Sequence, residues 1–138
     1  MNPAGKQILD MATFERGDVD PDAFDHAAHV HVAWQYLDAF DLDEALRRFS
    51  TALRALTVKL GVPDKYHATI TWFFMILISE RMARDPDADW RAFSAANADL
   101  IESAGTLLAA HYSSERLNSV LARHQFLMPD RGVLESAA

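Results

Sequence analysis

Cysteine is absent from this chain of 138 residues, so a disulfide framework, a thiolate metal site and a thiol nucleophile are all excluded. Basic residues are in the minority, because 13 Lys and Arg stand against 20 Asp and Glu and the formal net charge is −7. This balance argues against nucleic acid or an anionic membrane surface as a partner. Long apolar runs are also missing. The longest run, WFFMILI at 72–78, is too short to cross a bilayer.

The remaining composition is that of a folded protein. Half of the residues are hydrophobic, which is typical of a chain that buries a core. The N-terminal stretch MNPAGKQILDMATFERG lacks the positive start and the continuous apolar stretch of a signal peptide, so a cytoplasmic protein is expected. We predict one domain over residues 1–138, with an N-terminal extension at 1–18 and a C-terminal tail at 113–138 over one end of the fold.

Most of the five glycines and five prolines fall at breaks between stretches of helical apolar period, and Gly105 lies inside one of these stretches. Helices are predicted within residues 3–14, from 21 to about 40, from the acidic DLDE to 60, from 63 to about 84 and from 88 to 111. A short capped helix follows from Ser114. Short turns between helices make an all-α, up-down antiparallel four- to five-helix bundle the default. The run ITWFFMILI at 70–78 is apolar nearly all round, which indicates a central helix or one covered by a second subunit. A homodimer is therefore the preferred expectation.

Three of the six histidines lie within the stretch FDHAAHVHVAW at 24–34. Helical rotation of about 100° per residue places His26 and His29 on the apolar face and His31 on the wet face. The same reasoning places His67 and His111 toward the core. In an antiparallel bundle, the starts of the second and fourth helices and the end of the fifth share one pole. Four imidazoles are thus predicted to converge within roughly 12 Å of that pole.

A converging histidine cluster favours a metal centre. Neutral imidazole binds several transition metals, and a pair at i and i+3 presents two nitrogens on one helical face. We predict His26, His29 and His67 as ligands of a divalent transition metal, with zinc or iron the most plausible. Three ligands leave positions open for water and substrate. The predicted function is a small metal-dependent enzyme acting on a small organic molecule, with His111 as an acid–base group or a fourth ligand.

Two other functions remain open. In a metal-free acid–base enzyme, His111 would act with a tyrosine such as Tyr66, Tyr112 or Tyr36, and Thr71 would orient the ring of His67. In a non-enzymatic protein that binds a small ligand or a partner, the histidines would be structural. Either enzyme would contact its substrate through three further side chains: Trp72, Tyr112 and Arg116. Arg116 suits an anionic substrate group, although the sequence around it is more typical of a capping turn at Ser113 or Ser114.

The blocks FDHAAHVHVAWQYL, KYHATITWFF and HYSSERLNSVLARHQFLMPD resemble those of a small bacterial all-helical family with His-x-x-His, Lys-Tyr-His-x-Thr and Tyr-Ser-x-x-x-Leu patterns. The resemblance spans roughly residues 20–130. It implies a helical fold and no particular activity. The positions that it marks are His26, His29, Tyr66, His67, Thr69, Thr71, Tyr112 and Ser113.

Overall fold

The computed structural model describes residues 9–132. Within this range every regular secondary-structure element is a helix, and none is a strand. The predicted all-α helical-bundle class is therefore confirmed. The chain divides into two compact units, which we call unit 1 (up to Lys65) and unit 2 (from Tyr66). Between residues 9 and 132, no helix is both long enough and apolar enough to span a bilayer.

The helices are numbered along the chain. Unit 1 contains α1 (Met11–Arg16), α2 (His26–Ala39), α3 (Leu42–Lys59) and a 3-10 turn (Pro63–Lys65). Unit 2 contains α4 (Ala68–Arg84), α5 (Trp90–Ala96), α6 (Asp99–Glu102), α7 (Ala104–His111), α8 (Ser114–Leu117) and α9 (Val120–His124). The predicted first helix, within 3–14, lies partly outside the described residues. Its described counterpart begins at Met11, because the Asp10 carboxylate accepts a hydrogen bond from the backbone N–H of Thr13.

Aromatic side chains from all three helices form the core of unit 1. The Phe14 ring is fully buried and stacks on Phe49 with 5.4 Å between ring centroids. Tyr36 packs edge-on against both rings and donates its hydroxyl proton to Glu15 at 2.9 Å. Four leucine and phenylalanine residues of α3, spaced three or four positions apart, are buried, and Leu60 at the end of the helix is partly buried: Leu46, Phe49, Leu53 and Leu56 form the buried set. The helix ends before Gly61, whose φ of +76° is the left-handed conformation that suits a C-terminal glycine.

The second helix begins later than predicted. The predicted start is residue 21. Instead, the backbone carbonyl oxygen of Asp20 accepts hydrogen bonds from the N–H groups of Ala23 and Phe24 in a turn. Asp25 is the actual cap, because its carboxylate accepts from Ala28 N at 2.9 Å. His26 and His29 therefore occupy the first and fourth positions of α2.

The start of the fourth helix was also predicted wrongly. Pro63 opens only a 3-10 turn, and α4 begins at Ala68 with His67 as its cap. The apolar run at 70–78 is covered within the chain, because five of its residues are buried and the other four are partly buried. The composition of α4 thus requires no second subunit. The homodimer itself stays a prediction.

The predicted fifth helix, 88–111, is three short helices, with breaks at 97–98 and at Ser103. Arg81 of α4 donates two hydrogen bonds to the carboxylate of Asp99 and a third to the Asn97 side chain. The Asn97 amide also donates to the carbonyl oxygen of Phe93. These side-chain hydrogen bonds compete with the helical conformation of the backbone, and the helix is interrupted at 97–98. Gly105, which lies inside α7, is not the break.

Candidate functional site

In unit 1, the first turn of α2 holds a pair of histidines. The ring centroids of His26 and His29 lie 6.2 Å apart. The His29 ring stacks on Phe24 at 5.5 Å and contacts Phe49 at 5.3 Å. Burial lowers the pKa of His29 to about 4, and repulsion from a charged His26 acts in the same direction. His29 is therefore neutral near pH 7, and neutral imidazole is the form that binds metals.

His31 does not lie on a wet face as predicted. It is partly buried, and this burial lowers the pKa of its imidazole. The misplaced helix start does not explain the difference, because rotation between residues is independent of where the helix begins. The residues of α2 are apolar on much of its circumference, so its wet face is narrower than predicted.

In unit 2, both ring nitrogens of the buried His67 bind backbone groups. Nδ1 accepts a hydrogen bond from Ile70 N at 3.2 Å, which caps α4. Nε2 lies 2.8 Å from the carbonyl oxygen of Leu117 and must therefore be the protonated donor. The pKa of His67 lies below its ordinary value, chiefly because the ring is buried. The hydrogen bond to the carbonyl of Leu117 opposes this shift, and the cation Arg123 adds to it. These two hydrogen bonds fix the ring orientation that we had assigned to Thr71.

His111 is held at the end of α7. Its Nδ1 donates to the carbonyl oxygen of Leu107 at 2.8 Å, and its ring lies 5.0 Å from that of Phe73. The backbone carbonyl of His111 accepts from the N–H groups of both Asp130 and Arg131, each at 3.0 Å. His111 therefore contributes to binding the residues that follow α9.

We refer to residues 117–131 as the C-terminal segment. Thr69 of α4, which is fully buried, anchors the middle of this segment. Its hydroxyl lies 2.8 Å and 2.9 Å from the carbonyl oxygens of Ala122 and Gln125, and it accepts from Leu127 N at 3.1 Å. Tyr112 donates its hydroxyl proton to the carbonyl oxygen of Leu127 at 2.6 Å. Burial raises the pKa of Tyr112 to about 12, so this phenol is a fixed donor at neutral pH.

Two further side chains hold the end of the C-terminal segment. Arg116 donates from Nε to the carbonyl oxygen of Met128 at 2.8 Å. Ser113 donates from its backbone N and its hydroxyl to the two carboxylate oxygens of Asp130, each at 2.7 Å. These bonds lower the pKa of Asp130. Ser113 also caps α8, which confirms the capping turn anticipated there.

The remaining candidates from the sequence lie in the same unit. Trp72 stacks on Phe126 of the C-terminal segment with 6.0 Å between ring centroids. Tyr66 and Thr71 are buried. Unit 2 thus brings most of the predicted catalytic and substrate-binding side chains into contact with one segment or into the core. Their roles toward a substrate stay predictions.

The predicted metal ligands are divided between the units, with His26 and His29 in unit 1 and His67 in unit 2. Their convergence, and that of His111, is a relation between the units and stays a prediction. Over residues 9–132, no group of three or more His, Cys, Asp or Glu side chains is arranged to hold a metal ion. The hydrogen bonds of His67 use both of its possible ligand atoms, so coordination there would require one of them to break.

Sequence reasoning missed the anchoring roles of Thr69 and Asp130. A threonine two residues after a helix cap, in an otherwise apolar stretch, is the signal for a buried hydroxyl that needs partners. Nothing local in the sequence indicates that the partners lie more than fifty positions away.

Comparison with protein-family models, with curated proteins and with solved structures finds no match for this chain.

Proposed function

We propose that this protein is a non-enzymatic interaction protein with structural histidines, and that its C-terminal segment is the recognition surface. One observation carries the proposal: polar side chains of unit 2 that could take part in chemistry bind the backbone of this segment instead. Four of them donate to its carbonyl oxygens: His67, Thr69, Tyr112 and Arg116. A nucleophile or an acid–base group needs a hydrogen-bonding position open to substrate, and these groups use theirs internally.

The anchored segment also exposes large apolar side chains. Val120 is 72% exposed, Met128 66% and Leu121 53%. Single exposed apolar residues are ordinary, but grouped ones mark interaction sites. Here three occur within nine consecutive positions whose backbone is fixed at both ends. A fixed backbone loses little conformational entropy on binding, which favours recognition.

Selection of peptides from a random displayed library against the folded protein tests the proposal. We expect the enriched peptides to bind wild type and to lose at least about tenfold in affinity toward a Val120→Ser, Leu121→Ser, Met128→Ser variant. Val58→Ser is the matched control, because Val58 is 63% exposed in α3 of unit 1. Peptides that bind the triple variant as well as they bind wild type would remove the C-terminal segment as the recognition surface.

The metal-dependent enzyme predicted from the sequence is the second candidate. The observation that favours it is the His26–His29 pair, with His29 held in its neutral form. Metal analysis of protein purified without a histidine tag is the test. Stoichiometric zinc or iron that is lost on His29→Phe supports this candidate, whereas metal-free protein whose melting temperature is unchanged by added zinc opposes it.

A further inference from the structure

The exposed face of α9 combines apolar and basic side chains in a regular order. Ala122 is the buried residue of this short helix, while the residues on either side of it are exposed: Val120, Leu121, Arg123 and His124. Residues three apart on a helix are neighbours on its surface, at about 5 to 6 Å between Cβ atoms. Val120 therefore lies beside Arg123, and Leu121 lies beside His124. Each exposed aliphatic side chain has a basic neighbour.

The charge of this region differs in sign from that of the chain. Between Ser114 and Arg131, three arginines stand against Glu115 and Asp130, whereas the whole chain carries −7. The carboxylate of Asp130 is bound to Ser113. The cation Arg123 in the last turn of α9 also complements the helix dipole. The dipole accounts for the sign of this charge but not for the exposed aliphatic residues beside it.

We infer that the partner of the C-terminal segment is an acidic amphipathic peptide, with aliphatic side chains that cover Val120 and Leu121 and carboxylates that meet Arg123. This inference rests on the proposed function and specifies its partner. Complementary charge raises the association rate and excludes basic competitors. A second copy of this chain fits less well, because it would bring another −7 to a molecule that already carries an acidic excess.

Two synthetic peptides of the same helical leucine pattern, one with glutamates at the flanking positions and one with lysines, provide the probe. Fluorescence polarisation with the full chain should show the glutamate peptide binding at least about tenfold more tightly than the lysine peptide. Its affinity should fall as salt is raised from 50 mM to 500 mM. Arg123→Glu should reverse the preference. Arg91→Glu, which makes the same charge change at an exposed position of α5, should leave it unchanged.

The outcomes separate the inference from the proposed function. Equal binding of both peptides, abolished by Val120→Ser with Leu121→Ser, overturns the acidic partner and leaves the recognition surface intact. Binding of either peptide that ignores those two substitutions contradicts both. Dimerisation in sedimentation equilibrium that the same double variant abolishes would make a second copy the occupant and overturn the inference. Circular dichroism verifies that each variant is folded.

Discussion

At the scale of single residues, His29 makes the stability of unit 1 depend on pH. An unfolded chain binds a proton at His29 near its ordinary pKa of 6.5, whereas the folded chain binds it only near 4. The unfolded state therefore holds more protons between these values, and stability is complete above pH 6.5 and is lost as the pH falls toward 4. We expect a loss of about 3 kcal/mol from this group in urea unfolding. His29→Phe should remove that part of the pH dependence, and His124→Gln, at an exposed position of α9, should not.

His67 stabilises unit 2 through its two hydrogen bonds. His67→Ala leaves Ile70 N and the carbonyl oxygen of Leu117 without these partners, and should lower the free energy of unfolding by about 2 to 3 kcal/mol. His67→Asn restores a side-chain acceptor at the cap and should recover about 1 kcal/mol. Both changes in the free energy of unfolding should be the same in buffer that contains a metal chelator. A loss that appears only when the chelator removes a metal would contradict the structural role.

These residues also mark how far the sequence could predict the candidate site. The spacing of His26 and His29 places both on one face of a helix, and the serine at 113 indicates a cap. The bond from His67 to Leu117 joins residues fifty positions apart, and no local pattern encodes it. The ring of His67 faces inward as predicted, but its apolar neighbours say nothing about which backbone groups its nitrogens bind.

At the scale of helices, the class was predictable and several boundaries were not. The extent of α3 follows from its local apolar period and from the glycine at 61, and its predicted end at residue 60 lies one residue beyond the last helical residue, Lys59. The start of α2 depended on a choice between Asp20 and Asp25, which are equally good caps by residue type. The break at 97–98 coincides with the hydrogen bonds of Arg81, which lies in another helix. Propensity alone makes 88–111 a continuous helix, and tertiary hydrogen bonds override it.

Arg81 provides a test of that explanation. Its guanidinium binds Asp99 and Asn97, and its side chain is only 14% exposed. We expect Arg81→Leu to destabilise the chain by about 1 to 3 kcal/mol in urea unfolding. Arg84→Leu, at the exposed end of the same helix, is the matched control and should change stability by less than about 0.5 kcal/mol. Equal effects of the two substitutions would contradict a specific role for Arg81.

At the scale of the molecule, the C-terminal segment is required for the stability of unit 2. A chain that ends at His124 loses the partners of Thr69 at Gln125 and Leu127, the partner of Tyr112 and the Ser113–Asp130 pair. We expect its free energy of unfolding to fall by about 3 to 5 kcal/mol. The full-length double variant Thr69→Val, Tyr112→Phe should shift in the same direction, and Thr106→Val on the exposed face of α7 should not. Thermal unfolding followed by circular dichroism measures all four chains.

The side chains that hold the C-terminal segment bind its main chain, so most of the segment's own side chains take no part in these hydrogen bonds. The accepting oxygens belong to the peptide groups of Leu117, Ala122, Gln125, Leu127 and Met128, and every residue type carries such a carbonyl oxygen. The identities of the outward-facing side chains can therefore change while the backbone of the C-terminal segment keeps its conformation. Diversifying positions 120, 121, 123, 124 and 128 in a library should yield binders of new specificity on an unaltered support, as hypervariable loops do on a rigid framework.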